Sequence, residues 1–401
     1  MRNNRGLFLK RFDSINMGLS ALMVFGVVIS LIDSIFGRGV IYNTTQYIYL
    51  LFFINALPAL LKNFSLQTFF LILAVCGIYL FSILIRTNSV VFDEAQRTIL
   101  LWCMPGFLLA SCVTDFEKLF KWLRLSSIII LLITIMQLFF IFSSAGFFYS
   151  QELGYSVLPC LALFYLSFEY DRKFYYLVPV IISFIVILAS GSRGPLLSGI
   201  LAIVLCYVSH FGLSKKIMIL GVLVITCSFL FANYIVDLLT SVLSYFGNLN
   251  FSTRTIELLL SGNIADDDER TKLRSIAINY ILNHPFYGTG VVNDRVIIAQ
   301  SMGSAGINVY GSYCHNFILE IMMQFGMLPG GIILVLFVKK ITNMLRSRKV
   351  FIVKIGVFTI SVGLFPLLVS RSWITYPEFY LLMGIIISSL NLSKKHGVYK
   401  N

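Results

Sequence analysis

The stretch from Tyr175 to Phe211 reads YYLVPVIISFIVILASGSRGPLLSGILAIVLCYVSHF. Two apolar runs close to the roughly 17–25 residues needed to cross a bilayer are parted by GSRGP, which cannot continue a helix without interruption. The pattern predicts two membrane helices joined by a tight turn. Glycines on both sides of Arg193 let the backbone bend sharply and approach a ligand, and Pro195 suits the opening turn of the next helix. An arginine at that depth costs about 2.5–3.5 kcal/mol on insertion scales. Arg193 is therefore a functional candidate, with an interfacial anchor as the competing reading.

The rest of the chain has the same character. Hydrophobic residues make up 58% and charged residues 12%, and the mean hydropathy is +0.87, values outside the range of soluble globular domains. Apolar runs recur near residues 16–36, 43–61, 67–85, 98–113, 125–143, 154–168, 175–190, 195–210, 217–235, 315–337, 351–370 and 376–392. They predict an all-α polytopic membrane protein with about twelve transmembrane helices, a single transmembrane domain over 1–401. No cleavable leader is apparent, so the first run reads as an uncleaved anchor.

Lysine and arginine set the orientation, because short loops rich in them stay in the cytoplasm. Arg2, Arg5, Lys10 and Arg11 stand at the amino terminus. Alternate loops then carry Lys62; Lys118, Lys121 and Arg124; Arg172 and Lys173; Lys215 and Lys216; and Lys339, Lys340, Arg346, Arg348 and Lys349. Lys394, Lys395 and Lys400 close the chain. Both termini are expected in the cytosol. The formal charge of +13 then follows from topology and anionic headgroups, and gives no argument for nucleic acid. Cys76, Cys103, Cys112, Cys160, Cys206 and Cys227 fall inside predicted spans and Cys314 near the outer face, a usage that excludes a disulfide framework and offers no zinc spacing.

Residues 236–314 form one large hydrophilic excursion on the non-cytoplasmic side, and a loop of that length is usually functional. Within it DDDERTKLRSIAINYILNHP predicts an amphipathic helix with Leu273, Ile276, Ala277, Tyr280 and Ile281 on one face. Asp266, Asp267, Asp268 and Glu269 suit its amino-terminal end, and Pro285 ends it. Divalent-metal coordination is the alternative for that acidic run. At about 100° per residue, Arg270 falls within the apolar arc, Arg274 at its edge and Lys272 away from it.

His315 opens the run HNFILEIMMQFGMLPG where the chain re-enters the membrane. An imidazole of ordinary pKa near 6.5 can accept a proton at working pH. Asn316 is a candidate cap or orienter, and Glu320, within the span, needs a partner. His284 reads as a helix-terminus cation; His210 and His396 are cytoplasmic. Arg371, preceding Trp373 and Tyr376 at the outer end of the last helix, either joins a cation ring or anchors an aromatic belt.

Three stretches carry a resemblance: GSRG at Gly191 to Gly194, R-x(6)-A-x(5)-NHPFYGTG from Arg270 to Gly290, and HNFILEIMMQFGMLPG from His315 to Gly330. In order and spacing around one external loop they resemble the O-antigen ligase and O-antigen polymerase superfamily, the WaaL and Wzy type. The resemblance implies a metal-independent glycosyltransferase without cofactor, in the bacterial inner membrane, whose donor is an undecaprenyl-diphosphate-linked glycan. It further implies that Arg193 and Arg270 hold the diphosphate and that His315 is the base. Arg274 stands where many relatives have an aromatic residue, so Arg270 and Arg274 are both diphosphate candidates. Asn316, Glu320, Arg371, Gly288 and Gly290 are candidate supporting or substrate-binding residues.

The residue types agree with that chemistry. Cleaving a sugar–phosphate bond leaves negative charge on the diphosphate, and guanidinium forks bind phosphate oxygens bidentately while staying charged. A base on the opposite face of the sugar from the leaving group gives inversion. The expected activity is polymerisation of lipid-linked repeats into O-antigen or capsular polysaccharide, with a chain-length regulator as a further partner. Ligation of the polymer to lipid A core is the alternative, and a flippase of lipid-linked sugars the third. A transporter should gather its polar groups near the bilayer midplane in broken helices, whereas these lie at one surface.

Overall fold

The protein is described by a computed structural model covering residues 15–24, 27–28, 68–70, 103–144, 151–211, 268–303 and 309–395, with single positions at 54, 57, 61, 66, 73, 77 and 99. Every regular element among them is helical: α1 (Met104–Ser111), α2 (Phe116–Ser144), α3 (Gln151–Ser156), α4 (Leu158–Asp171), α5 (Leu177–Ala189), α6 (Arg193–Phe211), α7 (Asp268–Asn283), α8 (Asn293–Ser301), α9 (Phe317–Phe325), α10 (Met327–Leu345), α11 (Val350–Gly363), α12 (Phe365–Val369) and α13 (Pro377–Lys395). Five segments among the described residues are long and apolar enough to cross a membrane: Phe116–Leu138, Gln151–Asp171, Arg193–His210, Met327–Leu345 and Val350–Val369. The expected run at 217–235 lies outside the described residues, as do most of 43–61 and 67–85 and about half of 16–36, so the expected count of about twelve is not established.

Several boundaries differ from the sequence reading. The run 315–337 is two helices, broken at Gly326, whose φ of 92° is a backbone conformation glycine adopts without strain. Only the second of them, α10, is a candidate span. Lys118, Lys121 and Arg124, read as loop residues, stand in the opening turns of α2, because Asp115 Oδ1 accepts from the Lys118 amide at 3.0 Å and so starts the helix early. Lys339 and Lys340 likewise belong to α10. The run 351–370 bends at Leu364, just ahead of Pro366, into α11 and α12.

The chain divides into two compact units. The second comprises Met23–Tyr42 and Leu123–Asp266, where α4 packs against α5 and α6. A Cβ on Gly154 of α3 would meet Pro195 Cγ at 2.7 Å and Ser190 Oγ at 2.8 Å. Absence of a side chain at 154 thus lets α3 seat directly on the turn that carries Arg193.

The first unit comprises Met1–Leu22, Asn43–Trp122 and Asp267–Asn401. Its core joins Phe107 and Cys103 to Phe317, Ile321, Leu367, Trp373, Ile374, Phe379 and Tyr380. α13 lies against α1 at close range, since a Cβ on Gly384 would stand 2.5 Å from Ala110 Cβ. Small residues at such crossings are how helices pack where lipid supplies no hydrophobic drive. In contrast α10 leaves Ile332, Val335, Leu336 and Val338 exposed, an apolar surface suited to acyl chains.

The large loop is structured where it is described. α7 coincides with the expected amphipathic helix: Leu273, Ala277 and Ile281 are buried, and Ile276 and Tyr280 pack beside them against Ile298, Cys314 and Met323. α8 was not anticipated.

Candidate functional site

His315 sits one residue before the cap of α9. Asn316 Oδ1 accepts from the amides of Ile318 at 3.0 Å and Leu319 at 3.2 Å, the expected N-cap role. That fixes the helix start and leaves His315 outside it with φ 51°. A non-glycine residue held in the left-handed region is sparsely populated and persists only where neighbours enforce it.

The enforcing neighbour is the strap Ser370–Trp373. The Ser370 carbonyl lies 2.9 Å from His315 Nδ1 and accepts from Tyr313 Oη at 2.8 Å; the Tyr313 and His315 rings are 4.1 Å apart. A carbonyl can only accept, so Nδ1 carries the proton. In the neutral imidazole the lone pair then resides on Nε2, the atom a general base needs.

Behind the strap is a buried polar cluster that the sequence reading did not find. Ser372 Oγ–H donates to Glu320 Oε1, Arg295 Nη2 donates to Ser372 Oγ at 2.8 Å, and the Trp373 amide donates to Glu320 Oε2 at 3.4 Å. Gln324 bridges the remainder: its Nε2 donates to Asp294 Oδ1 at 3.0 Å, and its Oε1 accepts from Trp373 Nε1 at 3.1 Å. The Arg295 guanidinium also lies 5.1 Å over the Tyr313 ring. Glu320 and Asp294 are fully buried and Arg295 is 1% exposed. Burial, reinforced by the nearby Asp294 charge and opposed by Arg295, pushes the Glu320 carboxyl up to about 8. Asp294 is pushed by burial up to about 6, against the pull of Arg295 and Gln324.

Asn316 is thus the cap of α9, and Glu320 has its partner in Ser372. Arg371 follows Ser370 in the strap, with its guanidinium 5.8 Å over the Tyr376 ring. Gly288 and Gly290 have a structural task. The Thr289 and Gly290 amides donate to the carbonyls of Met323 at 2.9 Å and Gln324 at 3.0 Å, pairing carbonyls at the end of α9 that have no partner within the helix. A Cβ at 288 would come within 2.2 Å of the Gln324 backbone. Gly288→Ala is expected to destabilise the protein by about 1–3 kcal/mol, seen as a lower Tm in detergent or nanodiscs; an unchanged Tm would contradict the packing role.

Arg270 and Arg274 are half-buried on α7 and Lys272 is exposed, in keeping with the helical wheel. The same helix packs on Cys314, next to the histidine. Arg274 Nε is buried with no hydrogen-bond partner among the described residues. His284 stacks on Tyr280 at 4.2 Å, and its Nδ1 lies 3.0 Å from the Tyr280 carbonyl. In the second unit, Gly191 has φ 65° and Arg193 is half-buried as the first residue of α6. A helix start offers free amides and a positive dipole end, so Arg193 adds charge where an anion is already favoured.

Apolar helices of spanning length define an integral membrane protein of the all-α class, in which His315 is held against the Ser370 carbonyl in front of a buried polar cluster. Residues 178–335 match the family model described as O-antigen ligase, and this match supports the O-antigen ligase and polymerase superfamily that the three stretches resemble. The matched span takes in Arg193, Arg270, Arg274, Arg295, His315 and Glu320. No curated protein and no solved structure matches the chain.

Proposed function

We propose that the protein is a metal-independent membrane glycosyltransferase that polymerises undecaprenyl-diphosphate-linked oligosaccharide repeats into O-antigen or capsular polysaccharide on the outer side of the inner membrane. The observation carrying this reading is the His315 geometry, in which a fixed Nδ1–H leaves Nε2 as proton acceptor. In the reaction an acceptor hydroxyl attacks the anomeric carbon and its proton passes to Nε2. The anomeric carbon–oxygen bond breaks, its electron pair leaves on the lipid diphosphate, and the configuration inverts. Arg193, Arg270 and Arg274 stabilise that developing charge; the buried Arg274 Nε and the start of α6 support their assignment.

Ligation of a finished polymer to lipid A core or another acceptor is the second reading, favoured by the description of the matching family. A cell-surface glycan gel from a strain lacking the protein separates the two. Polymerase loss should leave core carrying a single repeat, and complementation with Arg193→Ala or Arg270→Ala should restore little polymer. Bare core, with long polymer accumulating on its carrier lipid, would instead establish the ligase. A wild-type glycan profile in the deletion strain would overturn both.

A further inference from the structure

His315 makes its contact to the strap through a backbone carbonyl, which no side-chain substitution at position 370 removes. What holds that carbonyl in place lies one step further back. The strap runs from Ser370, whose amide donates to the Pro366 carbonyl at 2.9 Å, to Trp373, whose indole and amide both reach α9 side chains. At its centre the Ser372 hydroxyl accepts from Arg295 on α8 and donates to Glu320 on α9. Two helices thus grip one hydroxyl two residues from the carbonyl that orients the imidazole. Arg295 acts a second time by lying over Tyr313, the other donor to that carbonyl.

Resting on the reading of His315 as the base, we propose that Ser372, clasped between Arg295 and Glu320, is a positioning residue that sets the strap so that the Ser370 carbonyl keeps His315 in its Nδ1–H tautomer. Ser372 touches no substrate. Its work is to keep the proton-accepting lone pair on Nε2 and to hold the ring in the left-handed backbone conformation that aims it. With the hydroxyl gone, the strap relaxes and the imidazole divides between its two tautomers. Transfer then slows at the chemical step while donor binding is left alone.

The test is Ser372→Ala in the full-length protein in nanodiscs. The chain has four histidines, so ¹⁵N-histidine labelling gives few signals, and the His315 signal is the one missing from a His315→Ala sample. At about pH 8.5, where an imidazole is ordinarily neutral, the wild type should show one Nδ1–H tautomer at His315 and Ser372→Ala a mixture. Transfer measured with lipid-linked donor should fall about tenfold to a hundredfold in kcat with donor KM little changed. Should Ser372→Ala fail to accumulate, Ser372→Cys, of similar volume, is read in its place. A wild-type tautomer or a wild-type kcat in the variant overturns the proposal, as does a loss confined to KM. Failure of the base reading is a separate result: a His315 variant that still transfers at the normal rate.

Discussion

His315→Ala is expected to lower glycan transfer about 10²–10⁴-fold, the usual contribution of a positioned general base, while the protein still accumulates in the membrane. The argument rests on atoms. Nδ1 is committed to the Ser370 carbonyl at 2.9 Å, so only Nε2 can take the hydroxyl proton. Alanine also loses that contact and sits poorly at φ 51°, which is reason to run His315→Asn alongside it, because asparagine tolerates left-handed backbone better than most residues yet cannot act as the base. Both variants should bind lipid-linked donor and fail at transfer. Normal turnover by either, assayed with purified protein and defined donor, removes His315 from the chemistry.

The legible parts of this chain were those encoded locally. GSRGP announces its turn because glycine and proline act on their own neighbours, and Gly191 does take the left-handed conformation. The amphipathic face of α7 repeats at helical spacing, so Leu273, Ala277 and Ile281 could be assigned to the buried side without knowing what they bury against. His315 stood out as an imidazole at the mouth of an apolar run. The cluster behind it was hidden for the opposite reason. Ser372 is 52 residues from Glu320 and 77 from Arg295 in sequence, and nothing local marks a serine as the hydroxyl two helices will share. Glu320 was recognisable only as a carboxylate in need of a partner. Asp294 and Arg295 sit in VVNDRVII, where two adjacent charges inside an apolar octet are the signal that could have predicted burial. The break at Gly326 was masked by hydropathy, which runs unchanged through α9 and α10, whereas close approach of the Tyr287 backbone, 2.8 Å from a Cβ at 326, demands glycine.

Arg295→Met should be the most destabilising substitution in the site, by about 3–5 kcal/mol at pH 8, the range for stripping a buried charge of its partner. Methionine keeps much of the volume and leaves Asp294 on α8 and Glu320 on α9 without the cation that lowers both their pKa values. The Cys314 thiol, already pushed up by burial and by the same two carboxyls, offers no compensating charge. α8 and α9 lie outside the candidate spans, so these groups respond to bulk pH through the protein. Because burial raises both carboxyls above their ordinary values, the fold favours their protonated forms. Their contribution to stability is therefore fully present near pH 4 and declines as pH rises through about 6 for Asp294 and about 8 for Glu320. Without Arg295 both values rise further and the decline deepens and extends past pH 8. Melting curves in nanodiscs at pH 5 and pH 8 should show a small gap between variant and wild type at the lower pH and a large one at the higher. Parallel curves with a constant offset would show that Arg295 acts by packing alone, and an unchanged Tm at both would mean that the buried cluster needs no cation.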